Sequence, residues 1–259
     1  MKPIILLFPF LSLILASCGG GSGTVPSVDR STKVRDMPVA HADPNIFKQY
    51  NAKGDSKLTN TWTRKFDASG ISFNDKRTCT LITRRHVVMA THYGRPSSIP
   101  IVFHDRNGKY LVRYLIRNRV VHGDCMVGLL DQPVPSGYKV YPMLRHAPSL
   151  AAQLQGELVL TTDQGKRLFV HEISSINGSY IRLAYDKNKQ IGYGRILRRG
   201  DSGNPTFVMV NGEPVIIETH HTGGAGAGPF FGGAELQQKL SEAINILDPN
   251  YQPRYVNWR

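Results

Sequence analysis

The dipeptide Asn-Gly occurs at 107–108, 177–178 and 211–212, each time between short apolar runs. Both residues accept left-handed backbone angles, and the tight turn they favour matches the twist of two antiparallel strands. The chain is therefore expected to double back on itself repeatedly. Ile101-Val102-Phe103 and Tyr110-Leu111-Val112 flank the first turn, and Thr206–Val210 and Val215–Thr219 flank the third. Asp163-Gln164-Gly165 is a related turn between Glu157–Thr161 and Arg167–Val170, and Thr78–Ile82 reads as a further short strand. Many short strands with regular turns, and no alternation of strand and helix, predict an all-β fold of the sandwich or barrel kind. One helix is expected, over Ala234–Leu247. Leu236, Leu240, Ala243, Ile244 and Leu247 recur at helical spacing, and Pro249 ends the run. That stripe predicts a face docked on the body.

The first residues read as a targeting signal. Met1 and Lys2 precede a nearly continuous apolar run, Ile4–Leu15, too short to span a bilayer core. It leads into Leu15-Ala16-Ser17-Cys18, which resembles the lipobox of bacterial lipoproteins. The resemblance implies removal of residues 1–17, acylation of Cys18 and attachment to a membrane through several acyl chains. Gly19, where Asp would be a retention signal, points to the outer membrane in a Gram-negative cell. Residues 18–45, opening with Gly19–Gly23, read as a flexible tether.

The formal charge is +13, but Lys and Arg are spread along the chain, and no zinc finger or other nucleic-acid module is visible. A basic surface without a nucleic-acid partner is the expectation. Cys79 and Cys125 remain in the mature body, and an exported domain of this size carries them either as one disulfide or as two buried thiols.

The sharpest chemical feature is Gly200-Asp201-Ser202-Gly203. A serine hydroxyl is a poor nucleophile at neutral pH and needs a base to take its proton. A tight glycine-containing turn can also aim backbone N–H groups at a developing oxyanion. Two other segments complete a pattern. Val87-Val88-Met89-Ala90-Thr91-His92 resembles the segment carrying the catalytic histidine of chymotrypsin-like serine proteases, where Val-Val-Thr-Ala-Ala-His is usual. His122-Gly123-Asp124-Cys125-Met126-Val127 resembles the segment with the catalytic aspartate, an Asp opening an apolar strand. Gly200–Pro205 resembles the nucleophile loop. The order His, Asp, Ser matches that family rather than subtilisins or α/β-hydrolases. The resemblance covers about residues 60–235.

The resemblance implies two antiparallel six-stranded barrels, over 46–140 and 141–233, with a C-terminal helix and tail over 234–259. It implies a serine endopeptidase with His92, Asp124 and Ser202 as its triad, an oxyanion hole from the N–H groups of Gly200 and Ser202, and a protein or peptide substrate. No cofactor is required by that chemistry. An inactive binding protein on the same fold and an esterase are the alternatives. His86 rivals His92, and Asp131 rivals Asp124, but neither has the surrounding motif; Asp131 reads as a turn residue. His104 and His122 read as ordinary surface residues. Thr91 and Asn204 depart from the family pattern. No Ile-Val-Gly-Gly-like segment opens the domain, so Asp201 lacks the partner it has in the trypsin branch and is expected to bond within its own loop.

For the primary pocket, Gly192–Arg199 contains no acidic residue, which disfavours a Lys or Arg preference. Thr219–Gly224 resembles the pocket strand of glutamyl endopeptidases, in which His220 or His221 would meet a substrate carboxylate. Those two side chains point to opposite faces if extended, so they make a poor chelating pair. No metal site is expected.

Overall fold

The structure, a computed structural model, describes residues 43–185 and 194–258. The chain is mostly β. In its first half, β1 (Phe47–Gln49) pairs with β2 (Lys57–Leu58), and β3 (Ile71–Ser72), β4 (Cys79–Leu81) and β5 (His86–Ala90) follow. Next come β6 (Ile101–His104), β7 (Tyr110–Arg113), β8 (Leu115–His122) and β9 (Cys125–Leu130). Five of these form one antiparallel sheet in the order β3-β4-β5-β9-β8, while β6 and β7 form a separate hairpin.

The second half holds β10 (Met143–Leu144), the short helix α1 (Leu150–Leu154), β11 (Leu158–Thr162), β12 (Leu168–Asn177) and β13 (Tyr180–Ala184). β14 (Pro205–Val210), β15 (Glu213–Thr219), β16 (Ala227–Pro229), helix α2 (Ala234–Leu247) and β17 (Tyr255–Val256) complete it. Its eight strands form one curled sheet, ordered β16-β13-β12-β11-β14-β15-β10-β17.

The hairpins expected at the Asn-Gly turns are present as β6–β7, β12–β13 and β14–β15, all antiparallel. The turn at 163–165 joins β11 to β12. β12 runs well past the expected Val170, and α1 has no counterpart in the sequence pattern. The tail contributes a strand, since β10 pairs in parallel with both β15 and β17.

Strand alternation divides the apolar residues among three cores. On β5, Val87 and Met89 point into a core shared with Leu81, Ile101 and Phe103, while Val88 points the other way. On β14, Val208 and Val210 join Val159, Ile173 and Ile217, while Phe207 and Met209 point the other way. The residues on these other faces meet in one shared core, which also includes Val127, Tyr141 and Ile216. This shared layer clamps the two halves together. Both faces of β5 and β14 are therefore apolar, which is why they read as continuous hydrophobic runs.

The expected helix runs over the residues named for it, and all five stripe residues are buried in the shared core. It packs on β8 and β9. Each of the four Leu and Ile side chains is worth roughly 1.5–3 kcal/mol of burial.

Cys79 and Cys125 are free, buried thiols. β5 lies between their strands, and the two side chains point into different cores on opposite faces of the sheet. That arrangement forbids a bridge, and burial raises both thiol pKa values above their ordinary range.

Candidate active site

His92 sits two residues beyond β5, and Asp124 one residue before β9. The register of the two strands pairs Ala90 with Cys125, so the strand ends bring the two residues side by side. Thr91 N–H donates to Asp124 O at 3.1 Å, and His92 N–H donates to Asp124 Oδ1 at 2.7 Å. The other carboxylate oxygen, Oδ2, lies 2.6 Å from His92 Nδ1. One aspartate thus fixes both the backbone and the ring of His92.

The turn after His92 is anchored by Arg95, which is 2% exposed. Its guanidinium donates to Arg77 O and to Asn74 Oδ1, at 2.8 and 2.9 Å, and also to Pro100 O. A buried cation is tolerated when its donors are satisfied in this way. Nothing in the sequence marked Arg95, because its acceptors are mostly backbone carbonyls.

Ser202 comes from the other half, on the loop before β14. Gly203 N–H donates to His220 O at 2.8 Å, and His220 N–H returns to Asn204 O at 2.9 Å. Gly203 has φ +84°, and a Cβ there would lie 3.1 Å from Thr78 O and 3.4 Å from Ala90 N. The loop is thus pressed onto β4 and β5, where a side chain would hold it off. That contact brings Ser202 Oγ to 3.0 Å from His92 Nε2. Residues 92, 124 and 202 therefore converge as an unbroken hydrogen-bonded chain. An imidazole held this way can take the hydroxyl proton, with the carboxylate stabilising the imidazolium that results.

Asp201 is buried and faces away from the cleft. Its carboxylate accepts from Arg198 N–H at 2.6 Å and from Gln164 N–H at 3.0 Å, tying the loop to the β11–β12 turn. The N–H groups of Asp201, Gly203 and Asn204 are taken by Arg198 O, His220 O and Asp201 O. Those of Gly200 and Ser202 have no acceptor among the described residues. Gly200 has φ +100°, a conformation L side chains avoid. Asn204 fills its place by donating Nδ2–H to Asp201 O at 3.0 Å.

The two pocket candidates part company. His220 is 1% exposed, its Nδ1 2.8 Å from Glu218 Oε1 and its Nε2 3.1 Å from Thr162 O. Burial lowers its pKa, but the Glu218 charge and the bonds around the ring outweigh this and leave it raised. The exposed ring of His221 lies 5.6 Å from the His92 ring, centroid to centroid, with Tyr180 edge-on beyond it. Of the pair, only His221 lines the cleft.

In comparisons with known proteins, no family model matches this chain, and no curated protein matches it.

The rival residues lie elsewhere. His86 is buried with Nδ1 2.9 Å from Thr83 Oγ1, and burial lowers its pKa to about 4. Asp131 Oδ1 accepts Tyr114 N–H at 3.0 Å, as a turn residue does. His104, expected on the surface, is buried, because its Nε2 ties Ser56 Oγ and the carbonyls of Asn51 and Gly54 to β6. His122 is half-buried in the cleft wall, 3.6 Å from Glu235. The expected signal segment 1–17, Cys18 and the tether up to residue 42, with Gly192 and Tyr193 of the expected pocket wall, lie outside the described residues, and no described helix is long and apolar enough to cross a membrane.

Proposed function

We propose that this chain is a serine endopeptidase of the chymotrypsin type, hydrolysing peptide bonds through an acyl-enzyme. The observation that carries the reading is the single imidazole of His92 held between the Asp124 carboxylate and the Ser202 hydroxyl, at 2.6 and 3.0 Å. Ser202 Oγ attacks the substrate carbonyl while His92 Nε2 takes its proton. Asp124 keeps the proton on Nδ1 and balances the charge of the imidazolium. The N–H groups of Gly200 and Ser202 receive the oxyanion. His92 then gives its proton to the leaving amine, and water repeats the sequence on the ester.

In this reading the five-stranded sheet with the β6–β7 hairpin is the first barrel, and the curled eight-stranded sheet is the second. The cleft between them is the substrate site. The enzyme is exported and lipid-anchored through Cys18, so its substrates are proteins or peptides met at the cell envelope.

Cleavage of a peptide library tests the assignment. Peptide products that vanish in Ser202→Ala are expected. Hydrolysis of esters but not peptides would make the protein an esterase, and turnover of neither would leave a binding protein on this fold.

A further inference from the structure

His221 is left without a task by the hydrolytic scheme. Its backbone is fixed, with N–H donating to Ala227 O at 2.8 Å, but its ring makes no hydrogen bond among the described residues. It stands over His92 with its ligand-capable atoms in reach of the site. One such atom from each of His92, Asp124 and His221 lies within 4.8 Å of the others. A cleft of about 400 Å³ opens beside them, with His122, Tyr180, Pro229 and Glu235 in its walls. There is room for an ion with bound water and an open path to it.

We propose that His92 and His221 bind a divalent zinc-type ion, and that the bound ion switches the site off. Two imidazoles beside a carboxylate suit Zn²⁺ and disfavour Mg²⁺ or Ca²⁺, which take all-oxygen shells. The Asp124 bond to Nδ1 leaves Nε2 of His92 to face the ion, the carboxylate–histidine–metal arrangement that raises ligand basicity. The exposed His221 ring turns to supply the second nitrogen, and water fills the remaining positions. The ion then occupies the lone pair that would accept the Ser202 proton. Binding itself requires only these side chains. The inhibitory consequence rests on the proposed hydrolase reading.

The test is calorimetric titration of Ser202→Ala with ZnCl₂ and, separately, MgCl₂, paired with fluorophosphonate labelling of the wild-type chain with and without Zn²⁺. One Zn²⁺ per chain and no Mg²⁺ are expected. Adding His221→Ala, or His221→Gln, should weaken Zn²⁺ binding at least as much as the loss of an outer-shell partner, about 10–100-fold. Zn²⁺ should suppress labelling, and a chelator should restore it. Absence of Zn²⁺ binding, or binding indifferent to both His221 substitutions, overturns the metal site. Labelling in zinc-free buffer with no Zn²⁺ binding leaves the hydrolase reading standing alone. Zn²⁺ binding that depends on His221, with no labelling in zinc-free buffer, leaves the metal site standing and removes the hydrolase.

Discussion

Two carboxylate–imidazole pairs lie close together in this protein and behave as opposites. Asp124 and His92 meet at 2.6 Å at the mouth of the cleft, with the histidine side chain 46% exposed. Glu218 and His220 meet at 2.8 Å, sealed inside the second half, with both side chains essentially inaccessible. What separates them is the partner of the other ring nitrogen. His92 Nε2 faces the Ser202 hydroxyl, which can give up a proton. His220 Nε2 faces the Thr162 carbonyl, which can only accept one. His220 must therefore keep its Nε2 proton and cannot serve as a base there. Glu218, which also accepts from the Thr206 hydroxyl, faces Nδ1, and its charge helps to raise the His220 pKa. A third ring, His171, shows the remaining case. Its Nδ1–H donates to Ala225 O at 2.6 Å, its Nε2 accepts Arg195 N–H at 3.1 Å, and burial holds its pKa down to about 4. One side-chain type thus stands beside a hydroxyl, against a buried carboxylate or as a neutral spacer, according to what its two nitrogens meet.

The comparison breaks first at Ser202 and His92. Replacing either with Ala is expected to lower turnover by on the order of 10⁶, and the double variant should be no worse, since the two act as one unit. Steady-state kinetics on all three variants checks this; additive losses would separate the residues. Asp124→Asn should lower turnover by about 10⁴. Its melting temperature should move little, because Asn keeps an acceptor for the His92 N–H. Glu218→Ala should do the reverse and cost about 3–5 kcal/mol of stability, since it strands a buried partner. Chemical denaturation measures that loss, and a fully stable Glu218→Ala would erase the distinction.

The histidines also make stability depend on pH. His86 and His171 have folded pKa values near 4, below the ordinary 6.5, chiefly from burial. Between those values the unfolded chain binds more protons than the folded one, so stability falls as the pH drops from 6.5 to 4. His220, with its pKa raised, contributes fully below 6.5 and loses that contribution as the pH rises through its folded value. Thermal unfolding across this range should show a fall of about 5 °C or more toward pH 4, shallower in His171→Gln. A flat profile would contradict the buried neutral rings. The smallest effect is expected from reductant. With Cys79 and Cys125 unpaired, it should leave the melting temperature unchanged.

Much of this was legible in the chain because it is local. Asn-Gly turns fix hairpins through two residues, and α2 announces itself through five apolar positions. The His92, Asp124 and Ser202 segments stand out through their resemblance to chymotrypsin-like protease motifs, met in the order His, Asp, Ser. What stayed hidden depends on contacts between distant residues. The parallel joining of β10 to β15 and β17 has no local signal. Arg95 carries no local signal and His104 reads as a surface residue, because their partners are mostly backbone carbonyls, which sequence does not display. The adjacent His220 and His221 were expected to face opposite ways, and one is buried while the other is exposed. Which of them is exposed is settled beyond β15, where the His220 backbone bonds to Gly203 and Asn204 and the His221 N–H donates to Ala227 O.

The most direct test is to locate the fluorophosphonate adduct by mass spectrometry in zinc-free buffer and to time its formation. One adduct per chain, on Ser202, slowed by orders of magnitude in His92→Ala, is the expected result. A chain that stays unmodified, or reacts at another serine with no dependence on His92, would contradict the claim that this imidazole activates that hydroxyl.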